Sequence, residues 1–302
     1  MARRLVLRRG LHMSENARFS PRIGHTCRMG QKRNIIVVGL LLGVSGACAW
    51  LVRLPSEPVY HGRPLSAWLQ QYYVNGGAGG IMPDKTEQTW HADTETDEAL
   101  LKIGTNAFPL LLQLIQAHDS DLRLRLIELF GKQRWVNYHY TPAWILNMEA
   151  ARAFATLGSR ASNAVPALTK IYSQNISEDS EDAIVASLGY IGPAASNAVP
   201  LLLMQAGNTN DDFRIGAIWA LGQIHAQSGA VVPAVTKLLR NANPMVQNES
   251  ASALGRFGSA AIPAVPFLIE CLNAKPADWQ SNNLREALMK IDPQATAKAG
   301  IK

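Results

Sequence analysis

From residue 149 onward, apolar residues recur at helical spacing, and the whole arrangement repeats every 33 or 34 residues. One apolar track runs through Phe154, Leu188, Leu221, Leu254 and Leu288. A second runs through Leu157, Ile191, Ile224, Phe257 and Ile291, and a track of small residues through Ala153, Ser187, Ala220, Ala253 and Ala287. Gly158, Gly192, His225 and Gly258 keep the same register, and so do Pro166, Pro200, Pro233 and Pro266, spaced 34, 33 and 33. Three tracks in one register over five units predict a tandem helical repeat.

Each unit reads as a helical hairpin. The first helix, such as Phe213–Ile224, carries the apolar tracks and ends at the register glycine, the place of a left-handed terminator. The second helix is expected to start near Asn163 or Asn197, both good N-caps, with Pro200 in the first turn, where its missing N–H is harmless. Val199, Leu202 and Leu203 then face neighbouring units. One hairpin cannot bury such a face, but a stack can.

Before residue 149 the register loosens. ALLKIGTNAFPLLLQLI (99–115) keeps the grammar, but Gly104 and Pro109 stand five apart instead of eight, as in a degenerate first repeat. Helices are expected over Asp121–Lys132 and Ser66–Tyr73, with a Gly-rich, then acidic connection over 75–97. The predicted fold is all-α: a right-handed α-α superhelix of about five to six hairpins over 97–302, clearest over 149–302, following an N-terminal segment over 53–96.

Ile35–Val52 is an 18-residue run without a charge, flanked by Lys32, Arg33 and Arg53. At about 1.5 Å per residue it spans roughly 27 Å, enough for a bilayer core. Composition of the leader sharpens this. Residues 1–33 carry nine Arg or Lys against one Glu, a charge of +8, whereas the other 269 residues carry −2. The basic 1–34 leader would stay in the cytoplasm by the positive-inside bias, leaving everything from Arg53 outside it. A single-pass membrane anchor and a signal peptide cleaved near Ala49, after the Ala47-Cys48-Ala49 string, both fit, the latter giving a periplasmic or secreted protein. Starts at Met1, Met13 or Met29 are compatible with this leader.

The AVPxLxxLL and ALGxIG strings resemble HEAT repeats, in particular the short bacterial type first associated with phycobilisome lyases. The layout, with EPVYHGRPLSAWL (57–69) before the repeats and ALMKIDPQATAKAG (287–300) at their end, resembles exported HEAT-repeat proteins of Verrucomicrobia-like and Planctomycetes-like bacteria. HEAT units often carry an Asp–x–x–Val–Arg ladder. Asp211-Asp212-Phe213-Arg214 fits it loosely, but Gln247 and Gln280 stand at the equivalents of Arg214, which breaks a charged ladder.

Chemistry-bearing motifs are sparse. The sequence holds no G-x-S-x-G elbow, P-loop, H-E-x-x-H or C-x-x-C-H string, and Cys27, Cys48 and Cys271 have no zinc spacing. Asp93, Glu95 and Asp97 alternate as in a calcium loop, yet Glu98 and Gly104 occupy the places of the required glycine and bidentate acid, so a solvated acidic loop is expected. No cofactor or metal is expected. The aromatic segment 133–144, with Trp135, Tyr138, Tyr140 and Trp144, suits either a solenoid cap or a partner contact.

The expected function is therefore a membrane-tethered, non-enzymatic scaffold that binds an unidentified protein or peptide. The second helices are expected to line the concave face, with Lys170, Gln205, Lys237 and Arg240 as contacts alongside the aromatic segment. The resemblance also admits a lyase- or chaperone-like protein acting on a chromophore or a modified cysteine. Nucleic acid is not an expected partner, because the exported part lacks a net positive charge.

Overall fold

The computed structural model describes residues 57–76, 94–131, 140–274 and 276–298. The chain divides into two units, Met1–Leu54 and Pro55–Lys302. The expected membrane or signal helix over 35–52 lies outside the described residues.

The second unit opens on a hairpin of two short antiparallel strands, β1 (Val59–Tyr60) and β2 (Arg63–Pro64), with Val59 opposite Pro64 and Tyr60 opposite Arg63. Helix α1 (Leu65–Gly76) follows directly, its first turn tied back by the Leu65 N–H donating to Pro58 O at 3.0 Å and the Ser66 N–H donating to the Glu57 carboxylate. Next come α2 (Thr94–Ile103), α3 (Phe108–Leu114) and α4 (Asp121–Gly131). The regular stack is built from α5 (Ala143–Leu157), α6 (Val165–Tyr172), α7 (Glu178–Ile191), α8 (Val199–Ala206), α9 (Asp211–Ile224), α10 (Ser228–Leu238), α11 (Pro244–Arg256) and α12 (Val265–Asn273). It closes on α13 (Asp278–Ile291) and the short α14 (Pro293–Lys298). The odd-numbered members from α5 to α13 are the first helices of the units.

Every residue of the two predicted apolar tracks and of the small-residue track is buried. Full burial of one such aliphatic side chain stabilises by about 1.5–3 kcal/mol, so repeating the solution unit after unit secures the stack. First helices of adjacent units pack along their length, whereas second helices touch their neighbours far less. Small residues make the close approach possible. A Cβ on Gly222 would lie 3.0 Å from Ala253 Cα, and one on Gly255 would lie 3.1 Å from Ala287 Cα. The equivalent position in α13 is Met289, exposed and too large for a further first helix to pack as closely. Glu178–Ala206 is apolar and long enough to cross a membrane by composition alone, but it comprises α7 and α8 with Gly192 between them and is largely buried in the stack.

The register glycines do end the first helices, in a conformation that explains the one exception. Gly192 has φ 71° and ψ −143°, a region closed to other residues, and a 3-10 turn over Gly192–Ala198 follows it. His225 instead adopts φ 50°, ψ 39°, the ordinary left-handed well that a non-glycine residue can enter. No 3-10 turn follows there, and α10 runs straight through Pro233.

The capping expectation at Asn163 and Asn197 is corrected. Both are exposed within 3-10 turns that lead without a break into α6 and α8, and the caps of those helices, Ala164 and Ala198, make no side-chain bond. Backbone carbonyls of the preceding turn already receive the N–H groups that a cap would satisfy, as Ser196 O does for Val199. The side-chain caps stand on the first helices. Ser177 Oγ accepts from Ser180 N–H, Asn210 Oδ1 from Asp212 N–H, and Asn243 Oδ1 from Met245 N–H. The shortened Gly104–Pro109 spacing has a plain cause: the 3-10 turn there, Gly104–Ala107, has four residues instead of seven.

Candidate functional site

The first-helix layer presents one repeated exposed position. Nine residues before Leu188, Leu221, Leu254 and Leu288 stand Asp179 in α7, Asp212 in α9, Met245 in α11 and Trp279 in α13, whereas the equivalent in α5, Ile145, is buried and Trp144 stands one residue out of this register. Those four are exposed, Met245 at 54% and Trp279 at 48%. Two acidic positions are thus followed by two large apolar ones in a single register across the units. Carboxylates in a first helical turn are favoured by the helix dipole, which accounts locally for Glu178, Asp179, Asp211 and Asp212. Asp182, one turn further along α7, exceeds that need. Its carboxyl is raised to about 6, first by restricted access to water and then by the charges of Asp179, Asp212, Glu178 and Glu181. Glu181 is shifted up as well, by burial and by Glu178. The like charges at this centre are therefore imperfectly compensated.

Behind the exposed line lies a seam of polar bonds that joins successive units. Asn147 Nδ2 donates to the carbonyls of Leu114 at 2.9 Å, Ile115 at 3.0 Å and Ala117 at 3.2 Å, closing the end of α3. Arg214 donates to Asn208 O and to the Asp211 carboxylate, and Gln247 Nε2 donates to Asn241 O at 2.6 Å. Gln280 Nε2 donates to Gln247 Oε1 at 2.7 Å, and Asn243 Nδ2 to Asp211 Oδ2 at 2.9 Å. The residues that break a charged ladder in the sequence form an amide one instead.

The sequence-predicted contacts do not converge. Trp135 and Tyr138 lie outside the described residues. Tyr140 is half-buried, with the Arg123 guanidinium 5.5 Å from its ring centre. Trp144 is exposed at the start of α5, one residue out of the register of the line described above. Lys170 and Lys237 are exposed on the second helices and Arg240 in the turn after α10, where Arg240 is engaged by Glu270 at 3.0 Å and lies 5.0 Å from the Phe267 ring centre. Gln205 is corrected: at 5% exposure it is buried, and the exposed neighbour on α8 is Met204 at 66%. One residue of slip on a helix turns a side chain by about 100°, enough to exchange surface for interior.

The acidic segment is corrected too. Asp93 lies outside the described residues, and Thr94–Ile103 is a helix, not a loop. Asp97 accepts from Tyr72 Oη at 2.5 Å and from Thr156 Oγ1 at 2.7 Å, while Glu98 accepts from Tyr60 Oη at 3.2 Å. Asp97 thus fastens α1 and α2 to α5, and Glu98 ties α2 to the opening hairpin. Among the described residues, no group of three or more His, Cys, Asp and Glu is placed to hold a metal ion. Cys271 is partly buried with Sγ 3.4 Å from Leu239 O, and burial followed by the Glu270 charge raises its thiol, opposite to what a nucleophile needs.

The aligned N-terminal positions of the first helices were not recognised in the sequence, although the 33-residue spacing of Asp179, Asp212 and Met245 carried the signal.

The 26S proteasome regulatory subunit RPN2 of Eremothecium gossypii is 32% identical over 119 residues, covering 38% of this chain. This chain spans 13% of the length of that relative. The crystal structure of an engineered protein is similar at 20% identity over 68% of this chain and 93% of that one, with a TM-score of 0.37. Residues 199–289 match the family described as HEAT repeats, which generally mediate protein–protein interactions.

Proposed function

We propose that this protein is a non-enzymatic scaffold of the exported bacterial layout, anchored through residues 35–52, which holds a protein partner along the first-helix face. The observation that carries the reading is the exposed line Asp179, Asp212, Met245 and Trp279. Its position differs from the expected second-helix face for a physical reason. The first helices pack along their length from unit to unit, so a ligand lying along their aligned exposed positions would touch several units.

Packed helices lie about 8–10 Å apart. An extended peptide advances about 3.3 Å per residue, so every third residue would meet the next unit. A partner segment with cationic side chains three apart, followed by apolar ones, fits Asp179 and Asp212 and then Met245 and Trp279.

The test is capture of partners by the detergent-solubilised full chain from membranes of its own cell. A discrete protein should be retained by the Lys170→Glu/Lys237→Glu variant and lost by Asp179→Lys/Asp212→Lys. The reverse pattern, or no saturable partner, rejects the reading. Carbonate extraction tests the anchor separately: the chain should stay with the membrane pellet, and its release would reject the anchor.

A further inference from the structure

We propose that α13 (Asp278–Ile291) is a self-association surface, through which two copies of the chain pair antiparallel about a two-fold axis. This goes beyond the partner proposed above and does not rest on it. One side of α13 packs against α11 and α12. The other side is bare: Trp279 is 48% exposed and Met289 45%, and Asp278, Asn282, Glu286 and Lys290 are exposed around them. A further first helix cannot cover this side in the manner of the stack, because Met289 stands where Gly222 and Gly255 admit the backbone of the next helix. An occupant must pack at the ordinary side-chain separation of about 8–10 Å and answer two large apolar groups and charges of both signs.

The helix supplies its own match. Leu284, 1% exposed, points into the stack. A helix turns by about 100° per residue, so residues equally far before and after Leu284 lie equally far to either side of the line opposite it. A two-fold axis through that line lays each such residue on its counterpart in the second copy. The resulting pairs are Trp279 with Met289, Asp278 with Lys290, and Asn282 with Glu286. Each is complementary: an indole meets a thioether, a carboxylate an ammonium, and an amide N–H a carboxylate. The symmetry makes each pair twice. A parallel arrangement would instead set Asp278 on Asp278 and Lys290 on Lys290. Within one helix Lys290 Nζ already meets Glu286 Oε1 at 2.6 Å, so the charged end of the face is ordered before pairing. Contact confined to one helix per copy is smaller than the roughly 1,200–2,000 Å² of stable complexes, so the dimer is reversible. Pairing covers Trp279, the last position of the exposed line, and leaves Asp179, Asp212 and Met245 open on each copy.

The experiment uses the detergent-solubilised full chain with its three cysteines changed to serine. Trp279→Cys is introduced into one preparation and Met289→Cys into another, and each is oxidised alone and after mixing. In the mixed pair the two new thiols meet at one end, while Met289 and Trp279 still meet at the other. A disulfide-linked dimer should therefore form in the mixture and not in either preparation alone, where the thiols of the two copies lie roughly 15 Å apart along the helix. Adding Asp278→Lys to both preparations should lower the yield about five-fold, and adding Lys290→Asp as well should restore it. Equal yields in the mixture and in the separate preparations overturn the two-fold pairing, and so does a dimer formed by Trp279→Cys alone. Absence of any linked dimer, with the cysteine-free chain monomeric in sedimentation at the highest attainable concentration, overturns self-association. Partner capture by the exposed line is measured separately, so either reading can fail without the other.

Discussion

In the first-helix layer, Gly222 meets Ala253 and Gly255 meets Ala287 almost backbone to backbone, and the polar seam from Arg214 to Gln280 runs beside them. In the second-helix layer, the full aliphatic side chains of Leu168, Leu202, Val235 and Leu268 are buried, while the outer positions Lys170, Met204, Lys237 and Glu270 share no common chemistry. Both layers supply the core. The second adds side-chain ties such as Arg240 to Glu270, whereas the first also brings one unit against the next almost backbone to backbone. A layer so constrained is rigid and aligned, which suits a binding line; the other is free to vary.

The largest expected effect lies in the shared core. Phe154 is fully buried on α5 beside Phe108, their ring centres 6.2 Å apart, and Phe154→Ala should cost about 3–5 kcal/mol in chemical denaturation. A loss below about 1 kcal/mol would show that α5 does not carry the core.

Next is a buried acid on the same helix. Glu149 is buried, and burial raises its carboxyl to about 7 from 4.5, partly offset by the neighbouring Arg152 guanidinium. A raised folded-state value favours the protonated form. Its contribution is therefore complete below pH 4.5 and is lost as pH rises through 7. At about 1.4 kcal/mol per pH unit, the loss approaches roughly 3 kcal/mol. Glu149→Gln should remove that slope and be the more stable form at pH 8. An unchanged slope in the denaturation midpoint between pH 4.5 and 8 would contradict it.

Two smaller effects sharpen the contrast between layers and between turns. Gly222→Val, at the first-layer seam, should cost about 1–3 kcal/mol by overpacking, against less than about 0.5 kcal/mol for Met204→Val on the second layer. Equal costs would remove the distinction. Gly192→His should cost about 1–3 kcal/mol, because its backbone angles exclude a side chain, whereas His225→Gly should change stability by less than about 1 kcal/mol. Equal and small effects would mean that the two turns are interchangeable.

The repeat was legible because each unit solves one problem in one register: Phe154 and its four counterparts are the same core position five times over. The terminators at Gly158, Gly192 and Gly258 were legible for the same reason. What failed to show was local or unique. Asn163 and Asn197 look like caps in isolation, but a continuous 3-10 turn leaves them nothing to cap. Asp97 looks like part of a loop because its partners, Tyr72 and Thr156, are 25 and 59 residues away. Of the expected contact residues, Trp144 is exposed beside the first-helix line, Gln205 faces the interior, and Lys170, Lys237 and Arg240 are exposed. The exposed line itself changes from acidic to apolar between Asp212 and Met245, so residue identity conceals what spacing preserves.

The most direct test sets one face against the other in the living cell. A photo-crosslinking amino acid is placed singly at Met245 on the first-helix line and at Lys237 on the second helices of the full chain. If the first-helix face holds the partner, irradiation gives a discrete protein adduct at 245 and none at 237. An adduct at 237 alone would contradict the account and return the interface to the second helices.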